Sequence, residues 1–324
     1  MLMRQPVPAA RNSPMILSLF RRNPANPPAK AAFDLRDLVK ELDRVDTFPT
    51  LSDTVVRAMA MANNADATLA DFTAVVRRDG SVTASVIKMA NSAAFNTGTT
   101  VKDVHQAVVR LGLRRCFNLL SSIGMRNMFQ QYSPDVQNRC EGLLRHSLFT
   151  ANLASNLNKT LKAGFTGEEF TASLLHDIGR LIIIIKVPEG IIDYPTDAQE
   201  DEGVLDFERK FLGTDHCNLG SLFAIKNELP AAISSAIFNH HRPHAEKDHR
   251  PLVGIVGLAD HLANHIQFSH KLADYNPESS AAYQQLTPRW TEKYHVAFRW
   301  ALKDIVVNSL AQTRAMLKSS GVKK

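Results

Sequence analysis

The sequence predicts an all-α protein. Three observations carry this. From Asp34 onward apolar residues recur every three to four positions. No stretch alternates apolar and polar residues as a half-buried strand would. Gly, Pro and small polar residues fall where helix ends need them.

The elements follow in order. Residues 1–33 hold six prolines, which discourage regular structure, so this leader is expected to be disordered. Ser52 can cap a helix that turns Val55, Val56 and Met59 inward, and Asp66 can cap another with Leu69, Phe72, Val75 and Val76 on one face. Gly80 can end that helix and Ser81 start the next, with Val82, Val86 and Met89 buried. Val104, Val108 and Leu111 follow at helical spacing, and Leu113, Phe117 and Leu120 continue after Gly112. The second half begins near Arg139 with helices over 141–158, 167–181, 215–227, 231–241 and 251–266. Thr166 with Glu169 has the capping-box pattern, and Pro230 and Pro251 stand where helices start. Residues 186–214 read as irregular and polar with room for short helices, and 272–288 as loop. A last helix over about 290–318 presents Val306, Leu310 and Met316 to the body.

Composition narrows the function classes. With 44% apolar and 22% charged residues the chain is an ordinary globular one. Its longest aliphatic run, Leu181 to Ile185, is far too short to span a bilayer. The net charge of +6 lies almost wholly in residues 1–33, which carry five basic residues and no acid. A nucleic-acid binder concentrates its basic residues on a folded face, so nucleic acid is not an expected partner. The apolar stretch Met15–Phe20 runs into Arg21-Arg22 and not into a cleavage site, so it does not read as a secretory signal. Three widely spaced cysteines, Cys116, Cys140 and Cys217, form no disulfide framework and fit a reducing cytoplasm.

The chemistry lies in polar residues that occupy core positions. His146 shares a stripe with Phe149, Leu153 and Leu157, and Asp177 with Phe170, Leu174 and Leu181, with His176 beside it. His216 aligns with Leu219 and Phe223, and His240 with Ile233 and Ile237, with His241 beside it. Asp260 aligns with Val253 and Val256. A buried unpaired charge costs several kcal/mol, so something must compensate. One or two divalent transition-metal ions, of Fe, Mn, Zn, Ni or Co, would do so for the whole set. Taken singly, any of these histidines reads as a core or surface residue; as a set on five apolar stripes they point to metal. The remaining seven histidines, among them His261 and His265, lack such positions and read as structural or solvent-facing.

Leu175-His176-Asp177-Ile178-Gly179-Arg180 resembles the signature of HD-superfamily metal-dependent phosphohydrolases. The first half resembles HDOD domains more specifically. Phe48-Pro49-Thr50-Leu51, Asp79-Gly80-Ser81-Val82-Thr83-Ala84, Met89-Ala90-Asn91-Ser92-Ala93 and Val104-His105-Gln106-Ala107-Val108 stand in that family's order. Gly213-Thr214-Asp215-His216, Glu228-Leu229-Pro230 and His240-His241-Arg242-Pro243 follow. The resemblance implies a two-lobed helical bundle within residues 34–265. A family-specific lobe would span about 40–135 and an HD-like lobe about 139–265, and 266–324 would form a C-terminal loop and helical extension. It also implies metal ligands at His146, His176, Asp177, His216, His240, His241 and Asp260.

The same resemblance implies a regulatory signalling module that binds a partner protein or a nucleotide. The alternative is a metal-dependent phosphohydrolase acting on a nucleotide or other phosphoester, with Asp177 and Arg180 as its catalytic residues. Arg180 stands where active relatives often carry lysine, which keeps the charge and changes its reach. The GYP-type segment of cyclic di-GMP phosphodiesterases is absent: after His241 the chain reads Arg242-Pro243-His244-Ala245. Asn91-Ser92 reads as a helix C-terminus with a turn before Phe95.

Overall fold

The computed structural model describes residues 53–62, 68–93, 95–187, 201–269, 271–288 and 292–320. The leader, Phe48–Leu51, Ser52, Asp66 and His270 lie outside the described residues, as do the side chains of Val56 and Met59. The described chain is helical, without strands, and none of its helices is long and apolar enough to cross a membrane.

The first lobe holds α1 (Asp53–Ala62), α2 (Leu69–Arg77), α3 (Gly80–Ala90), α4 (Val104–Leu111) and α5 (Leu113–Asn127). Local chemistry sets their starts. Thr68, not Asp66, caps α2: its hydroxyl accepts from Asp71 N–H at 3.2 Å while Asp71 accepts from Thr68 N–H at 3.1 Å. Asp79 caps α3 by accepting from Ser81 and Val82 N–H at 2.9 and 3.0 Å, so Gly80 opens that helix instead of closing the one before. Asn91 ends α3, as expected, and its amide pins Val101 through both backbone groups at 2.7 and 2.8 Å.

The second lobe is built on α6 (Pro134–Leu161), with Ser133 as cap and Pro134 at its first position. Then follow α7 (Glu168–Leu175), α8 (Ile178–Lys186), α9 (Asp201–Leu212), α10 (His216–Lys226), α11 (Ala231–Asn239) and α12 (Arg250–Ser269). Three short 3-10 turns, one between α11 and α12 and two after α12, with α13 (Ala281–Leu286) and the long α14 (Glu292–Ser320), complete the order. Segment 272–288 is therefore not all loop. The stretch expected as one helix over 167–181 is two, broken at His176-Asp177.

One apolar core runs unbroken from Val55 of the first lobe to Ile237 and Val256 of the second. A second core lies between α6, α12, α13 and α14, built on Phe149, Leu153, Leu258, Leu262, Tyr283 and Phe298. Helices α6 and α12 face both cores, which holds them rigidly. Helix α14 returns against α6, α3 and α5 and so touches both lobes. Its Val306 and Met316 are buried, as expected, and Leu310 half-buried.

Glu169 does not complete a capping box with Thr166. It is fully buried, pairs with Arg114 of α5 and accepts from Ser155 of α6 at 3.0 Å. Glu168 takes the capping role, accepting from Thr166 N–H at 2.8 Å. A carboxylate thus clasps one lobe to the other.

Candidate metal centre

The fold brings the seven expected residues to one place. His146 comes from the middle of α6 and Asp260 from the middle of α12. His176 and Asp177 form the turn between α7 and α8. His216 is the first residue of α10, and His240 and His241 follow the end of α11. All are buried except His241, which is half-buried.

Two glycines allow the close approach. A Cβ on Gly179 would lie 1.9 Å from the His216 carbonyl oxygen, and one on Gly257 would lie 2.8 Å from that of His240. Backbone therefore packs on backbone at both points, which draws α8 onto α10 and α12 onto the end of α11.

The side chains form two groups that share Asp177. In the first, His146 Nε2 lies 3.3 Å from His176 Nε2 and 3.0 Å from Asp260 Oδ1. His176 Nε2 lies 3.5 Å from Asp177 Oδ2 and 3.3 Å from Asp260 Oδ1. In the second, His216 Nε2 lies 3.1 Å from His241 Nε2 and 3.3 Å from Asp177 Oδ1. His240 Nε2 stands 3.8 Å from the same oxygen, and its ring centre is 4.0 Å from that of His241.

The outer nitrogens fix the tautomers. His176 Nδ1 donates to the Ser173 carbonyl at 2.7 Å, and His240 Nδ1 to the Ile237 carbonyl at 2.8 Å. His216 Nδ1 donates to the Glu208 carboxylate at 2.7 Å, and His146 Nδ1 to the Gln267 side-chain carbonyl at 3.0 Å. A neutral imidazole that donates through Nδ1 carries a lone pair on Nε2. With the rings neutral, all four lone pairs point inward, at one another and at carboxylate oxygens. His240 Nε2 and Asp177 Oδ1 are buried and have no hydrogen-bond partner.

Such a cage demands positive charge. Burial alone would push the His176 imidazole down, but the Asp177 and Asp260 carboxylates lift it to about 9. Burial works against ionised Asp177 too, yet Arg180 and the surrounding imidazoles hold it well below the carboxylate range. Asp260 is held down likewise, chiefly by His176 against the cost of burial. Burial, with His241 next, pushes His240 well below its ordinary value. Arg180 Nε lies 3.4 Å from Asp177 Oδ1, at the partly exposed edge.

The set of imidazole nitrogens and carboxylate oxygens is the donor set of a divalent first-row metal, and the buried atoms that no hydrogen bond engages supply the places where such an ion would be held. Glu208 is a member of this site that the sequence reading missed. It sits on the stripe of Val204, Leu205 and Leu212 in α9, the same signal of a polar residue on an apolar face. It accepts from the His216 backbone N–H as well as from the ring. Gln267 was missed as well, and so was Asn264, which donates to Asp260 at 3.1 Å. The other described histidines make ordinary structural contacts or face solvent, such as His261 with the Tyr275 hydroxyl at 3.1 Å.

The HDOD domain matches residues 48–243, more than half of the sequence. The chain belongs to the HDOD family. An uncharacterized protein of Treponema pallidum (strain Nichols) is 28% identical over 223 residues, 67% of this HDOD chain and 42% of the relative. The chain thus spans less than half the length of that relative. Among solved structures, an HDOD domain protein with unknown function from Geobacter sulfurreducens superposes with a TM-score of 0.63 at 19% identity, covering 87% of this chain and 96% of that one. A protein provisionally named for signal transduction, from Marinobacter aquaeolei VT8, gives 0.67 at 20% identity over 89% and 67%. One provisionally named a metal-dependent phosphohydrolase, from Shewanella amazonensis SB2B, gives 0.58 at 18% over 88% and 97%. At these identities the likeness establishes a shared HDOD fold.

Proposed function

We propose that this HDOD protein is a regulatory signalling module. One or two divalent transition-metal ions would hold its second lobe in the shape that a partner protein or a nucleotide recognises. One observation carries the metal reading: four Nε2 lone pairs, fixed by their Nδ1 hydrogen bonds, converge on two carboxylates in a buried space. His146, His176, Asp177 and Asp260 would hold one ion, and His216, His240, His241 and Asp177 a second. Such an ion supplies positive charge and Lewis acidity. The residues around it orient the ligands and exclude water. Joining five helix segments makes metal binding part of the folding free energy of that lobe. A cytoplasmic setting belongs to the same reading, since the three cysteines are buried free thiols.

A second reading, phosphohydrolase action, has its own support. The two oxygens of Asp177 face different histidine groups, and Arg180 stands beside one of them. Arg180 would there offset charge on a phosphoester. A turnover screen with nucleotides and cyclic dinucleotides on metal-loaded protein separates the readings. The regulatory module binds a nucleotide or a partner without turnover. Turnover at an ordinary enzymatic rate, abolished in Asp177→Asn, would replace it with the hydrolase.

A further inference from the structure

One further nucleophilic side chain, a cysteine, stands beside the histidine cage. Cys217 follows His216 in the first turn of α10 and is fully buried. Its sulfur and one ring nitrogen each of His216, His240 and His241 all lie within 4.8 Å of one another. The other two cysteines differ. Cys116 and Cys140 pack among the aliphatic residues of the main core, which Cys217 does not join. No hydrogen bond engages the Cys217 thiol among the described residues, and His240 Nε2, buried in the same group, has none either.

Helix geometry explains how neighbours reach one centre. Consecutive residues diverge by about 100°, so the His216 ring and the Cys217 sulfur approach from different directions. Asp215 fixes this turn as its cap, accepting from Asn218 N–H at 2.9 Å, and is itself held by Arg209 at 2.7 Å. A tetrahedral site needs donor atoms roughly 3.5 Å apart, and the 3.1 Å between His216 and His241 Nε2 is already in that range.

We propose that Cys217 is a thiolate ligand on the His216 side of the cage. Cys217 then replaces Asp177 as the fourth donor on that side, and the set becomes three imidazole nitrogens and one sulfur. This rests on the metal reading above and sharpens it. Sulfur selects a borderline or soft ion, such as zinc, ferrous iron or cobalt, over manganese or magnesium. As the sulfur–metal bond forms, the thiol proton leaves to solvent. The cation then compensates a buried thiolate that would be costly alone.

Cobalt(II) titration of the full-length apo-protein tests this, because geometry and sulfur ligation have separate spectral readouts. Wild type is expected to develop visible ligand-field bands together with an intense near-ultraviolet thiolate-to-cobalt charge-transfer band. Cys217→Ser and Cys217→Ala should keep the ligand-field bands, lose the charge-transfer band, and bind the ion about 10- to 100-fold more weakly on that side. The near-isosteric serine variant guards against a packing defect. Ligand-field bands without charge transfer in wild type, with unchanged affinity in both variants, would overturn the thiolate and leave the histidine cage standing. Absence of cobalt bands in all three proteins would overturn the metal reading, and the thiolate with it.

Discussion

The Nε2 atoms of His146 and His176 face each other 3.3 Å apart, although each ring already donates its Nδ1 proton outward. Two neutral rings would repel through their lone pairs at that distance, and Asp260 adds a carboxylate oxygen 3.0 Å from one of them. Only a shared proton or a cation makes the arrangement favourable, and the lifted basicity of His176 expresses the same demand.

Glu208 is expected to act as a positioning residue. It receives both the ring and the backbone N–H of His216 at 2.7 Å. Glu208→Gln keeps an acceptor but loses the charge, and should weaken metal binding by roughly 10- to 100-fold without unfolding the chain. Metal titration alongside circular dichroism checks this. Unchanged affinity in Glu208→Gln would show that His216 needs no such orientation.

Acid should loosen the segment between α11 and α12. The Glu246 carboxylate accepts from the N–H groups of Lys247, Asp248 and His249 at 2.7–2.9 Å, and from Ser235 and Asn239 of α11. Burial opposes its ionisation, but the Ser235 hydroxyl and these N–H groups outweigh it and bring it from 4.5 down to about 2. A depressed carboxylate contributes stability fully above its unfolded value. That contribution is lost as pH falls from about 4.5 toward 2. Glu246→Gln should therefore cost about 1.5–3 kcal/mol at neutral pH and progressively less on acidification. Denaturant melts of both proteins, compared across pH, test it. A gap that does not shrink in acid would refute the assignment.

Much of this was legible in the sequence because burial leaves a period. His146 and Asp260 sit on long apolar stripes, and both helices formed where the stripes lie. The helix break at His176-Asp177 was not legible, since Phe170, Leu174 and Leu181 keep helical spacing straight across it. The break accompanies a tertiary contact, the approach of the His216 backbone to Gly179. Helix α13 was missed because six residues are too few to show a period. Glu208 was passed over because charged neighbours in Asp201–Leu212 masked its apolar stripe. Cys217 carries no local mark at all, and only the folded positions of His240 and His241 give it meaning.

The most direct test is elemental analysis of the full-length protein purified without chelator, beside an Asp177→Asn, His176→Ala variant. A metal-holding second lobe predicts one or two equivalents of a first-row transition metal per chain in wild type and little in the variant. Wild-type protein free of metal, and unable to take up zinc, iron, manganese, cobalt or nickel on addition, would contradict it.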